Sequence, residues 1–290
     1  MARTTPSELM IRQRLSALSR SLPGARKGDV NQLHQARVAT RRLREALPMV
    51  ASGSRGRKLA RDVRRLTLAL GPVRELDVAL LTLDELGAEG NVPAAAIAKL
   101  RQVIGHERRR LHTEMCRCVE RVNLDKVRKR AVSGKGRAAD PQQLADARRR
   151  TARRAERLSA AIENAAGIYL PDRLHEVRIA VKKLRYSMEL ARELSGSRAM
   201  ARLKTLKEAQ DLLGRMSDLE VLIARVRAVQ GSGKVPDLRL SSDLDLVVRR
   251  LETECRQLHS LYIASRRRLL AICEYAVAVA EGKRGGARAA

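Results

Sequence analysis

Histidine and basic residues recur on one helical spacing at two places in this chain. His34, Arg37, Arg41 and Arg44 stand at i, i+3, i+7 and i+10. On a helix that spacing gathers them within about 80° of one another, along roughly 15 Å of its length. His175, Arg178, Lys182 and Arg185 repeat the pattern. Guanidinium and ammonium groups donate to phosphate oxygens, and imidazole can donate whether neutral or protonated. The chemistry such a row suits is the binding of several consecutive phosphates. No carboxylate lies between His34 and Arg44, and Glu176, the lone acid of the second stretch, falls off its stripe. Like charges at i, i+3 and i+4 destabilise a bare helix by a few tenths of a kcal/mol per pair. A helix that needs only solubility mixes its signs, as the face expected to carry Glu189, Arg192 and Glu193 does. One such stripe could be a solvated face; two, each led by a histidine, ask for an anion.

Both histidines fall near the start of their helices, after Asp29, Asn31 and Asp172, the expected N-caps. Free N–H groups and the dipole there would also favour phosphate. A histidine in such a place can instead bond a backbone carbonyl, and the matched pair favours the ligand role. His112 and His259 match each other too, but in more mixed surroundings, and a structural role is expected for them. A histidine beside several arginines could carry phosphoryl transfer, yet the motif order fits no such site. The chain has no Walker-type loop, no HExxH and no nucleophile in a recognisable setting. The expectation is a binder and not an enzyme, with no catalytic residue, metal or cofactor.

The elements that must hold these stripes form a tandem repeat. LHQARVATRRLR (33–44) returns as LHEVRIAVKKLR (174–185), identical at six of twelve positions. RLSA (14–17) returns at 157–160, and LGPVRELDV (70–78) is echoed by LGRMSDLEV (213–221). Arg109, Leu111 and His112 match Arg256, Leu258 and His259. Four collinear echoes mark a duplication, with copies over 1–140 and 141–290 joined by the linker Ser133–Pro141. Hydrophobic residues make up 44% of the 290, with no Phe, no Trp and four Tyr. That is enough for a core, and the strong helix formers that dominate the chain build it by stacking helices. Helices are expected near 7–21, 31–50, 55–86 with a break at Gly71-Pro72, and 93–122. In the second copy they are expected near 143–168, 173–194, 198–230 and 241–280. On the second helix Ala36, Ala39, Leu43 and Leu47 lie opposite the stripe and suit a core. Further basic residues recur in register on the third helix, Arg61 with Lys204 and Arg64 with Lys207, and on the fourth, Arg109 with Arg256.

Sixty Lys and Arg against 32 acids give a formal charge of +28, which calls for a polyanionic partner. No apolar run approaches the roughly 20 residues that span a bilayer. The first residues lack the apolar stretch of a signal peptide. Cys116, Cys118, Cys255 and Cys273 form no CxxC and read as reduced thiols of a cytoplasmic protein.

The two LHxxR(V/I)Ax(R/K)(R/K)LR helices, each followed by LGxx(R/S)(E/D)L(D/E)V, resemble the CHAD family, from about residue 7 to 280. The resemblance implies an all-α fold of two four-helix bundles with pseudo-twofold symmetry around a central basic pore or groove. It also implies binding of inorganic polyphosphate and association with polyphosphate granules. Carried over by motif, the ligands would be His34, Arg37, Arg41, Arg44, His175, Arg178, Lys182 and Arg185. Arg61, Arg64, Lys204 and Lys207 join from the third helices, and Arg109 and Arg256 from the repeat alignment. Many relatives add a triphosphate-tunnel domain with an ExExK strand motif, which is lacking here. The second copy departs from the first with Ser217 in place of Arg74. The alternative partner is the phosphate backbone of duplex DNA or RNA. Single-strand recognition, which leans on aromatic stacking, is disfavoured by the residues available.

Overall fold

A computed structural model describes residues 6–50, 53–122, 141–165, 167–195, 200–232 and 237–282. Apart from Pro141, the linker expected at Ser133–Pro141 lies outside the described residues. Among the described residues there are eight helices and no strand. They are α1 (Pro6–Arg26), α2 (Val30–Val50), α3 (Gly53–Glu89) and α4 (Ala94–Glu120), then α5 (Pro141–Asn164), α6 (Pro171–Ser195), α7 (Ala201–Gln230) and α8 (Leu238–Ala280). The all-helical expectation is borne out.

The helices divide into two compact units. One comprises residues 1–136 with 218–253, the other 137–217 with 254–290. The sequence repeat divides the chain at 140, whereas the compact units share out α7 and α8: residues 218–253 belong with the first unit. Charge pairs also run within that unit. Arg225 of α7 forks onto Glu75 of α3 (3.0 Å) and Glu107 of α4 (2.7 Å). Arg250 of α8 reaches Glu89 of α3 at 2.8 Å.

In the first unit α1 packs on α2, α2 on α3 and α3 on α4. Ala36, Ala39, Leu43 and Leu47 of α2 are buried as expected, and so are Leu66, Leu70, Val73 and Leu76 of α3. In the second unit one core draws on four helices: Leu158 and Ile162 from α5, Val177 and Leu184 from α6, Leu206 and Leu213 from α7, Tyr262 and Leu269 from α8.

Three boundaries depart from expectation. The first helix, expected to end near 21, continues through Pro23-Gly24 to Arg26, and Gly28, at φ +89°, makes the turn. Gly71-Pro72 does not break α3. Proline removes one backbone donor and normally costs a helix about 3 kcal/mol; here buried Leu70 and Val73 on either side keep the helix packed against its neighbours. The helix expected over 143–168 stops at Asn164, with Gly167 in the left-handed region at φ +86°.

Candidate functional site

The turn between α1 and α2 is the foundation of the first stripe. Asp29 caps α2: its Oδ1 accepts from the Asn31 N–H (2.8 Å) and the Gln32 N–H (2.9 Å), while its carbonyl accepts from Leu33 (3.0 Å). Asn31 is therefore a capped residue and not a cap. The capping also corrects the expectation of free N–H groups for phosphate, since the aspartate has taken them. An anion here cannot use the Asn31 and Gln32 N–H groups.

Behind the turn stands Asp77 of α3, its side chain fully inaccessible. Arg108 of α4 donates from Nε to Asp77 Oδ1 (2.5 Å) and from Nη2 to the Gly28 carbonyl (3.0 Å). His112, one turn on, donates from Nε2 to the Ala25 carbonyl at 3.1 Å. It has the structural role expected of it. Together Arg108 and His112 bind α4 to the backbone from which α2 starts.

On this base four cationic or ionisable groups come together. Burial lowers the pKa of His34 first, and the charges of Arg74, Arg41 and Arg37 lower it further, in that order. The strongest of these neighbours was absent from the residues expected at the site. Arg74 is half-buried on α3; burial lowers its own pKa, and the carboxylates of Asp77 and Asp218 act against that. It could have been found in the sequence as the basic residue of LGPVRELDV whose counterpart is Ser217. Gly71, one turn before Arg74, serves Arg37: a Cβ at position 71 would lie 2.9 Å from Arg37 Nη1. The missing side chain lets that guanidinium lie against α3.

The remaining expected residues of the first unit, Arg44, Arg61, Arg64 and Arg109, are exposed. Among the described residues Arg41, Arg44, Arg61, Arg64 and Arg109 have no ion-pair partner.

The second stripe sits on α6 in different company. Pro171 occupies the first helical position, where its missing N–H costs nothing, so Asp172 lies inside the first turn and is not the cap. His175 is exposed, and Arg178 and Lys182 are half-buried. Arg185 is turned to protein partners: its Nε donates to Gln210 Oε1 (2.9 Å), its Nη1 pairs with Glu189, and its guanidinium lies 4.6 Å from the centre of the Tyr186 ring. Glu189, expected on an exposed face, is thus Arg185's half-buried counterion. Lys207 pairs with Asp211 at 2.8 Å, while Lys204 and Arg256 are exposed. His259 packs edge-on to Tyr169 with ring centroids 5.3 Å apart, and burial lowers its pKa. In the second stripe Arg185 has a carboxylate partner from its own unit, whereas Arg41 and Arg44 of the first have none among the described residues.

The chain matches the family model described as CHAD domain over residues 9–227. It is similar in structure to the CHAD domain from the plant Ricinus communis, at 20% identity and a TM-score of 0.64, covering 92% of this chain and 93% of that one. It is likewise similar to PptA from Streptomyces chartreusis, at 17% identity and a TM-score of 0.58, covering 97% of this chain and 100% of that one. At these identities the likeness is one of fold. No curated protein matches the chain.

Proposed function

The chain belongs to the CHAD domain family, and on that footing we propose that it binds inorganic polyphosphate on the α2–α3 face of its first unit. The observation that carries this reading is the convergence of Arg37, Arg41 and Arg74 on His34. Three guanidinium groups around one imidazole concentrate positive charge, and a polyanion suits such a concentration. A phosphate chain suits the row because each residue along it carries charge and donors at short intervals. Arg44, Arg61, Arg64 and Arg109 extend the same exposed positive surface. His175, Arg178 and Lys182 offer the second unit a weaker counterpart, since Arg185 and Lys207 already have carboxylates. The role is one of binding, without turnover, and it would place the protein on polyphosphate granules.

Any phosphate backbone feels a charge of +28, so specificity is the decisive test. Competition at physiological salt between polyphosphate and duplex DNA, counted per phosphate, should favour polyphosphate at least tenfold, or about 1.4 kcal/mol. Equal affinity per phosphate would favour the nucleic-acid reading instead.

A further inference from the structure

The second unit holds a cavity of about 360 Å³ that contains none of the stripe residues. It lies where α6 ends and α7 begins, with α5 and α8 completing the wall. Met188, Leu203, Ala276 and Val279 give it an apolar lining. Thr151 adds a methyl group, because its hydroxyl is spent on the Ala147 carbonyl at 2.8 Å. Arg148, Arg192 and Arg202 also line it. Arg148 is exposed and the other two half-buried, so the charges stand on the solvent side of buried Leu203 and Ala276. Among the described residues none of these three arginines meets a carboxylate. The Arg202 guanidinium lies 3.4 Å from the centre of the Tyr275 ring. Stacking of that kind fixes the plane of the guanidinium and leaves its edge free to meet an oxyanion in bidentate fashion.

An apolar chamber of this size falls in the range of small-molecule sites, and the arginines in its more exposed lining specify a charge for the ligand. We propose that this cavity binds a small amphipathic anion, its acidic head on Arg202 and Arg192 and its apolar tail among Met188, Leu203 and Val279. A phosphate chain has no tail to fill the chamber, and a neutral hydrocarbon leaves the arginines unused. The site is independent of the polyphosphate reading.

The test is calorimetric titration of the full chain with decanoate below its micelle concentration, with butyrate and decanol as the head-only and tail-only comparisons. Saturable binding of one decanoate is expected, with butyrate and decanol each weaker by about tenfold or more. Arg202→Gln with Arg192→Gln should weaken decanoate by about tenfold. Ala191→Phe, which fills the chamber from its wall, should abolish binding. Both variants should keep native helicity by circular dichroism and unchanged polyphosphate retention. Decanoate binding that matches decanol, that survives both variants, or that is absent while phosphatidylglycerol vesicles bind would overturn the proposal.

Discussion

Arg37 owes its position to an atom that is not there. A Cβ on Gly71 would meet its guanidinium nitrogen at 2.9 Å, and that nitrogen is the far end of a flexible side chain that can swing away. Gly71→Ala should therefore separate binding from stability. Helix propensity favours alanine by about 1 kcal/mol, so urea denaturation should find the variant as stable as the parent or more so. Its polyphosphate affinity should nevertheless fall several-fold as Arg37 is displaced. His34 supplies a second prediction. Its folded-state pKa lies below the usual 6.5, so between the two values the unfolded chain holds more protons than the folded one. Stability without ligand then falls as pH drops through about 6.5, and His259, depressed by burial, acts with the same sign. Polyphosphate favours imidazolium. The His34 titration followed by NMR should move upward on binding, and affinity should tighten as pH falls; a titration that ignores the ligand would contradict a contact at His34.

At the scale of elements, the stripes were legible in the sequence because helical spacing alone groups them, and the buried face of α2 followed from the same periodicity. What surrounds a stripe was less legible. Arg185–Glu189 and Lys207–Asp211 are i, i+4 pairs open to a reader of the sequence, while Arg44 and Arg64 have Pro48 and Leu68 at those places. The asymmetry between the copies was therefore written in the chain. The support from Asp77 and Arg108 was not, for these residues meet only when α3 packs on α4. Nor was the continuity of α3 through Pro72, since buried neighbours outweigh a local preference. Arg108→Met should strand the Asp77 carboxylate without its partner and cost about 3–5 kcal/mol in urea unfolding. Arg110→Met, whose exposed pair with Glu114 spans 3.8 Å, should change stability by less than about 0.5 kcal/mol.

Over the whole molecule, composition and repeats foretold an all-helical chain, and the family model's match over residues 9–227 agrees with the resemblance carried by its motifs. The division at residue 140 described the duplication in sequence, but packing follows contacts and assigns residues 218–253 to the first unit. Net charge alone could not choose among polyanions. The choice rests on a local cluster, and although Arg74 stands out in the sequence against Ser217, its approach to His34 is visible only in the fold. If binding is electrostatic, log affinity should fall linearly with log salt concentration, and removing cations should flatten that slope. The most direct test is the triple substitution Arg37→Ala, Arg41→Ala and Arg74→Ala, titrated with polyphosphate at several salt concentrations and checked for native helicity by circular dichroism. The account predicts a folded protein with affinity lower by at least two orders of magnitude, as about 1.5–3 kcal/mol per charged contact implies, and a shallower salt slope. A folded triple variant that binds polyphosphate like the parent, with the same slope, would contradict it.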